Sequence, residues 1–342
     1  MNKEKIIVRM APSPTGNLHI GGVRTALFNY LFAKHNNGKY ILRIEDTDRE
    51  RNKPEFEQDI IDGFKWLGLE ADEWYRQSER VGSHKKYLQK LIDDGAAYFS
   101  KEEPKEEGQR DEVIRFRNPN KKIQFDDMIR GSVEFDTTEL GDFVIAKSID
   151  EPIYHFAVVV DDFESGITHV IRAEEHISNT PRQILIQEAI GAPRPVYAHL
   201  PLIVNEAREK LSKRKHGEMV WLTTYKNAGY LPEAVINYMA LLGWNPGTEQ
   251  EIFSLDELIK VFDFSKVHKS AAFFDIKKLD WVNKEHIKLL SPEEQLALIV
   301  KDFDMSTPVL DKDKIEWKDS NPEESKKHLK KILDVLDDKE AI

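Results

Sequence analysis

The sequence predicts an α/β protein: a parallel sheet first, a mostly helical region after it. Three observations carry this. Lys5 to Met10, KIIVRM, is a short β-rich apolar run, broken at once by Pro12, Pro14 and Gly16. Behind the break, Val23, Ala26, Leu27, Tyr30 and Leu31 recur at helical spacing, and a second apolar run, Tyr40 to Ile44, follows. Further on, ITHVIRAEEHISNTPRQILIQEAIG (167–191) again reads strand, turn, helix.

Taken in order, the first strand, turn, helix and strand form a β-α-β unit, with Asn36-Asn37-Gly38 stopping the helix. ILRIEDTDRER (41–51) and FAVVVDD (156–162) read as strands leading into acidic turns. In 167–191, Ser178, Asn179 or Thr180 can cap the helix, with Pro181 in its first turn. SKEEPKEEGQRDE (100–112) reads as a solvated loop. LPEAVINYMALLGW places Leu231, Ala234, Val235, Tyr238, Leu241 and Leu242 on a helical face.

The 342 residues are enough for two or three domains, and 40% hydrophobic with 32% charged residues reads as globular. No apolar run reaches the roughly 18 residues of a membrane span, and the N-terminus lacks a signal-peptide core, so a cytoplasmic location without membrane association is expected. The chain has no cysteine, which excludes disulfides, thiolate catalysis and Cys-ligated zinc. A net charge of −11 argues against indiscriminate nucleic-acid coating but not against a local basic face.

The turn after the first strand, APSPTGNLHIGG, lies where open parallel sheets bind ligands. Gly21 and Gly22 allow close approach to the helix N-terminus, whose N–H groups and dipole favour a phosphate, and His19 can donate a further hydrogen bond. Taken alone, H-x-G-G is also compatible with a capped loop and a solvated His. A second candidate, Lys210-Leu211-Ser212-Lys213-Arg214-Lys215, is the most basic run of an acidic chain. Taken alone, it is equally a solvated loop.

Together, Arg9 followed by Ala11, Pro12, Ser13, Pro14, Thr15, Gly16, Asn17, Leu18, His19, Ile20, Gly21 and Gly22, with KLSKR at 210–214, resemble the glutamyl-tRNA synthetases. HIGG stands where class I aminoacyl-tRNA synthetases carry HIGH, and KLSKR where they carry KMSKS. PSPTG points to the glutamyl rather than the glutaminyl branch. The resemblance runs from Ile7 to about Ile287.

It implies a Rossmann-type sheet split by an inserted domain. Residues 1–74 and 158–204 would form the catalytic halves, and 75–157 the insertion that holds the tRNA acceptor end, with DDMIRGSVEF (126–135) as its strand pair. Residues 205–292 would carry the KLSKR loop and a stem-contact domain, to which AAFFDIKKLDWVNKEHIKLL also belongs. Residues 293–342 would begin a helical anticodon-binding domain, incomplete here, so that anticodon reading is expected to be absent.

The implied reaction joins L-glutamate to ATP, releasing pyrophosphate, and transfers the glutamyl group to the terminal ribose of tRNA-Glu. It needs no protein nucleophile, only positioning and stabilisation of phosphate charge. The resemblance assigns His19 and Lys213 to catalysis. It assigns His19, Gly21, Gly22, His176, Leu202, Lys210, Ser212, Lys213 and Arg214 to ATP, and Arg9, Ala11, Ser13, Glu45, Tyr154 and Arg172 to glutamate. An arginine fork suits the side-chain carboxylate, and Glu45 suits the α-ammonium. His155 departs from the family, where many members have Asn. Mg²⁺ is expected with ATP; zinc is not, and a monomer is expected. The runner-up within this chemistry is a glutamyl-queuosine tRNA-Asp synthetase. From other classes come a non-catalytic tRNA-binding fragment and a small-molecule nucleotidyltransferase.

Overall fold

The computed structural model describes residues 5–48, 50–103, 111–211 and 217–302. The chain divides into two compact units, 1–279 and 280–342.

In the first unit, β1 (Ile7–Met10), β2 (Lys39–Ile44) and β3 (Glu73–Arg76) run parallel in the order β1-β2-β3. Helix α1 (Ile20–His35) joins β1 to β2 and α2 (Pro54–Trp66) joins β2 to β3. The helix ends where expected: Asn36 caps it and Asn37 takes φ 53°, a left-handed conformation that Asn tolerates. Gly38 is required by close approach, since a Cβ there would meet the Ile6 carbonyl oxygen at 2.5 Å.

On the other flank, β10 (His169–Ala173) and β11 (Val196–Leu200) run parallel, with Arg172 opposite His199. The Thr168 N–H donates to the Ile7 carbonyl at 2.9 Å, and Asn29 of α1 donates to the Ile171 carbonyl at 3.1 Å. The start of β10 is thereby fastened to β1, and α1 covers both. Strand order thus runs outward in opposite directions from β1 and from β10, a topological switch point whose carboxyl end forms a crevice.

Between the halves lie α3 (Val81–Asp93) and an antiparallel sheet in the order β4-β5-β8-β9, comprising β4 (Ala97–Lys101), β5 (Glu112–Phe116), β8 (Phe143–Ser148) and β9 (Glu151–Pro152). The hairpin of β6 (Lys122–Asp127) and β7 (Gly131–Asp136) matches the expected strand pair, and it extends the β10-β11 sheet through Tyr197 opposite Asp127. The expected domain edges at 74/75 and 157/158 fall inside β3 and inside helix α4 (Tyr154–Glu164). Helix α5 (Thr180–Ile190) follows β10.

Two local readings are corrected. FAVVVDD is not a strand with an acidic turn but the body of α4, in which Phe156 through Asp162 are all buried. A helix buried on every side loses its polar face, and a run rich in valine then imitates a buried strand. At α5, Pro181 sits in the first turn as expected, but no side chain caps the helix. The Asn179 amide lies instead 3.2 Å from His176 Nδ1.

Helices Leu222–Asn227, Pro232–Leu241 and Leu255–Val261 follow, in line with the helical reading of 231–242. The two-stranded pair β12 (Ile203–Val204) and β13 (Ala272–Phe273) accompanies them. In the second unit, helix Pro292–Asp302 opens on a reciprocal cap, Ser291 N–H to Glu294 Oε2 at 2.8 Å and Glu294 N–H to Ser291 Oγ at 3.3 Å. Residues 104–110 of the expected solvated loop and the tail beyond 302 lie outside the described residues. Among the described residues no helix is long and apolar enough to cross a membrane.

Candidate active site

The carboxyl ends of β1, β2, β10 and β11 open into one cavity of 480 Å³, within the size range of small-molecule sites. Arg9, Ala11, Ser13, Glu45, Tyr154 and Arg172 line it, as do His19, Gly21, Gly22, His176, Leu202, Lys210 and Leu211. With Leu211 of the second motif added, these are the described members of the ATP and glutamate sets drawn from the sequence. Ser212, Lys213 and Arg214 lie outside the described residues. Their flanks do not: Lys210 and Leu211 line the cavity, and on the far side Trp221 packs its ring edge-on at 6.3 Å from that of His19. The Leu222 N–H donates to the Leu18 carbonyl at 2.9 Å, stitching the chain after the second motif to the turn of the first.

The PSPTG loop is held by its neighbours. The Glu45 N–H donates to the Pro12 carbonyl at 2.9 Å, and the Leu18 N–H donates to Asp59 Oδ2 at 2.6 Å. Helix α1 begins at Ile20, earlier than the apolar period indicates, with His19 as its N-cap. This corrects one expectation: the Gly21 N–H is not open to a ligand, because it donates to His19 Nδ1 at 2.9 Å. The cap has a useful consequence. With Nδ1 an acceptor, the neutral ring carries its proton on Nε2 and is fixed as a donor there. Gly21 serves this geometry, since a Cβ on it would lie 3.1 Å from His19 Nδ1.

Behind the cavity lies a charge network the sequence did not reveal. Arg9 forks onto Asp162 at 3.0 and 3.2 Å. Arg43 donates to Asp162 at 2.6 Å and to Glu45 at 3.0 Å. Two cations and two carboxylates balance, all of them buried. The two guanidinia hold the Asp162 carboxyl below its ordinary pKa against the opposing effect of burial, whereas burial pushes the Glu45 carboxyl up. Arg43, a charge within a buried strand, was the available signal for this network.

Arg172 stands apart. It is 6% exposed, and its hydrogen bonds end on neutral acceptors: His199 Nε2 at 3.1 Å, Thr180 Oγ1 at 2.9 Å and the His176 carbonyl at 3.4 Å. Burial lowers its pKa. A desolvated guanidinium without a carboxylate partner is a receptor for an anion. Beside it, burial and the Arg172 charge push His176 down to about 4, so this imidazole is neutral, and the Tyr154 hydroxyl lies 3.0 Å from its Nδ1. His155, the departure from the family, does not line the cavity; its ring packs 5.4 Å from that of Tyr154.

Arg24 of α1 also lines the cavity and was not foreseen. Buried, with its pKa lowered to about 10 by desolvation, it donates to the carbonyls of Pro201 and Leu242 and so holds the segment that presents Leu202. Leu202 in turn donates its N–H to Glu174 at 2.9 Å.

Comparison with known proteins shows the family and the fold. The family model described as class I tRNA synthetases (E and Q), catalytic domain, matches residues 5–110 and 99–281. The chain belongs to this family. Among curated class I relatives it is 44% identical to the glutamate–tRNA ligase of Aquifex aeolicus, over 98% of this chain and 75% of the relative. It is 47% identical to that of Lysinibacillus sphaericus, over 87% and 70%. Among solved synthetases, the glutamate tRNA ligase of Elizabethkingia meningosepticum, in complex with its amino acid, superposes with a TM-score of 0.82 at 38% identity, covering 90% of this chain and 75% of that one. The synthetase of Elizabethkingia anophelis gives 0.81 at 37%. The Rossmann-type parallel sheet read from the sequence is thus the class I catalytic fold.

Proposed function

We propose that this chain activates L-glutamate with ATP, forming glutamyl-adenylate and pyrophosphate, and transfers the glutamyl group to the 3′-terminal ribose of tRNA-Glu. The observation that carries the proposal is the uncompensated guanidinium of Arg172 sharing one cavity with the capped N-terminus of α1, in a chain whose relatives are glutamate–tRNA ligases. The alternative reading as a glutamyl-queuosine tRNA-Asp synthetase is not favoured by those relatives.

In this reading Arg172 receives the side-chain carboxylate of glutamate. Glu45, whose burial disfavours its own charge, receives the α-ammonium, and Arg9, Ala11, Ser13 and Tyr154 complete the pocket. His19 donates from Nε2 to ATP phosphate oxygens, with Gly21 and Gly22 at the same helix end. His176 and Leu202 flank adenine and ribose. Lys210, Ser212, Lys213 and Arg214 follow the phosphates, Lys213 most directly. Its support is positional and comes from the flanks, since Leu211 lines the cavity and Trp221 packs against His19. Glutamate's α-carboxylate attacks the α-phosphorus, and the bond to the pyrophosphate oxygen breaks. The protein holds the reactants and stabilises phosphate charge, and no side chain forms a covalent bond.

Mg²⁺ bound with ATP would supply further charge neutralisation. The described residues contain no cluster of three His, Asp or Glu to cage it, so triphosphate and water would be its main ligands. We assign 75–157 to the acceptor end of the tRNA and 205–292 to its stem, and 293–342 to the start of an anticodon-binding domain. Part of the same reading is a monomeric, cytoplasmic protein that holds no zinc, the last supported by a chain without cysteine.

The test is glutamate-dependent ATP–pyrophosphate exchange without RNA, with tRNA-Glu and with tRNA-Asp. Exchange and charging with tRNA-Glu are expected. Transfer to tRNA-Asp instead would move the assignment to the queuosine-modifying reaction, and failure of every arm would overturn it.

A further inference from the structure

Arg172 is held by a relay that begins in the β6–β7 hairpin. Asp127, at the end of β6, accepts four donors: the N–H groups of Ile129 and Arg130 at 2.9 Å each, that of His199 at 3.1 Å, and His199 Nδ1 at 2.6 Å. His199, on β11, is 0% exposed. Its other nitrogen, Nε2, takes the Nε–H of Arg172 at 3.1 Å. The ring is wedged between Tyr197, stacked at 6.0 Å, and Phe125 at 6.3 Å.

The proton bookkeeping permits one arrangement. A guanidinium has only donors, so Nε2 must present a lone pair. The Asp127 carboxylate offers only acceptors, so Nδ1 must carry the hydrogen. His199 is therefore neutral and locked in the Nδ1–H tautomer. Arg9 provides the contrast: a carboxylate grips it directly and cancels its charge. Arg172 is oriented by a carboxylate acting through a neutral ring. It gains a fixed direction and keeps its net charge for a ligand.

Resting on the glutamate-activating reading above, we infer that His199 and Asp127 are positioning residues for amino-acid recognition. They aim Arg172 into the cavity while leaving its charge unspent. Discrimination between a carboxylate and the uncharged amide of the same shape follows from that arrangement. A ligand amide leaves the buried guanidinium without a counter-charge. A carboxylate at position 199 would neutralise the receptor before substrate arrived.

Two substitutions separate the relay from mere packing. H199N keeps an amide near the Nδ1 position, hence the bond to Asp127, but its side chain is too short to accept from Arg172. H199Q extends an acceptor toward the Nε2 position. In exchange assays with tRNA-Glu, H199N should raise the glutamate KM by about tenfold to a hundredfold, the size of one lost hydrogen bond to a charged group. Its ATP KM should stay within about threefold, and H199Q should recover most of the loss. Equal glutamate KM values for H199N and the unmodified protein, or equal rises in both KM values, would overturn the relay.

If H199N does not fold, the imidazole nitrogen NMR spectrum of the unmodified protein decides, with the His199 signals assigned by their absence from H199Q. A protonated Nδ1 and a bare Nε2 are expected at neutral pH, and a protonated Nε2 would overturn the inference. No glutamate-dependent exchange by the unmodified protein would instead refute the activity on which the inference rests.

Discussion

Replacing Arg172 and Arg43 in turn by glutamine separates a functional charge from a structural one. Both guanidinia are buried, at 6% and 0% exposure, yet opposite outcomes are expected. Arg43 bridges Asp162 at 2.6 Å and Glu45 at 3.0 Å, and these carboxylates raise its pKa above the ordinary arginine value despite burial. Arg43→Gln leaves two buried carboxylates short of their shared cation. Breaking a buried ion pair from one side costs about 3–5 kcal/mol. At about 2–4 °C per kcal/mol for a domain of this size, Tm should fall by about 6 to 20 °C.

Arg172 has no such partners. Burial lowers its pKa, so its charge is a cost to the ligand-free fold. Arg172→Gln should leave Tm unchanged or higher. Binding should show the reverse order. Loss of the counter-charge to glutamate's side chain should raise the glutamate KM by on the order of 10² to 10³, the kinetic equivalent of about 3–4 kcal/mol, while the ATP KM changes little. The assay pairs thermal scans, with and without glutamate, with initial rates of exchange in the presence of tRNA-Glu. Glutamate at 100 times its Kd should stabilise the unmodified protein by about 2.7 kcal/mol, and this increment should vanish in Arg172→Gln. A Tm loss in Arg172→Gln as large as in Arg43→Gln, or parallel rises in both KM values, would refute the reasoning.

His19→Asn retains a short acceptor for the Gly21 N–H but loses the Nε2 donor, so adenylate formation should slow by on the order of 10² to 10³. His19→Ala should lose, in addition, about 1 kcal/mol of stability with the cap. Full single-turnover rates in His19→Asn would remove this ring from the phosphates. Lys213→Ala should slow adenylate formation by on the order of 10² to 10³ in single-turnover experiments, and an unchanged rate would place Lys213 away from the phosphates. Burial holds His155 and His176 down at about 4, below the ordinary 6.5. As pH falls from about 6.5 toward 4, the unfolded chain takes up protons that the folded rings refuse, so stability declines through that window and this contribution levels off below it. Each ring accounts for about 3 kcal/mol across the window. Denaturant titrations should show a shallower decline in His155→Asn, and an unchanged slope would mean that His155 titrates normally in the fold.

The order of elements around the site was legible because the local signals agree there. Breakers at Pro12, Pro14 and Gly16, a 3.6-residue period and an Asn-Asn-Gly stop all point to strand, turn and helix, which the chain forms as Ile7–Met10 and Ile20–His35. The same holds for His169–Ala173 followed by Thr180–Ile190. Tyr154–Glu164 was misread because its period is erased by burial on all sides. Its two aspartates looked like a turn, yet they are what fastens it. Asp161 accepts from Gln77 at 2.7 Å and pairs with His84 at 2.8 Å, while Asp162 holds Arg9 and Arg43. Pairing of the Lys122–Asp127 strand with Val196–Leu200 was equally hidden, since nothing local in either segment names the other as its partner.

That limit bears most on the two arginines chosen for glutamate. Arg9 and Arg172 look equivalent in the sequence: each ends or nearly ends a strand at the ligand edge, and each lines the cavity. What distinguishes them is the company each keeps. Arg9 meets a carboxylate 153 residues away, and Arg172 meets an imidazole 27 residues away. Residue type and strand position determine where a cation stands. Whether its charge is still available to a substrate depends on contacts made only when the chain closes on itself. A charge already matched within the fold contributes shape and rigidity to a pocket, and one held by neutral acceptors contributes selection. On that ground the proposed selection of the substrate's carboxylate is assigned chiefly to Arg172. Arg9, balanced by Asp162, shapes the wall beside it.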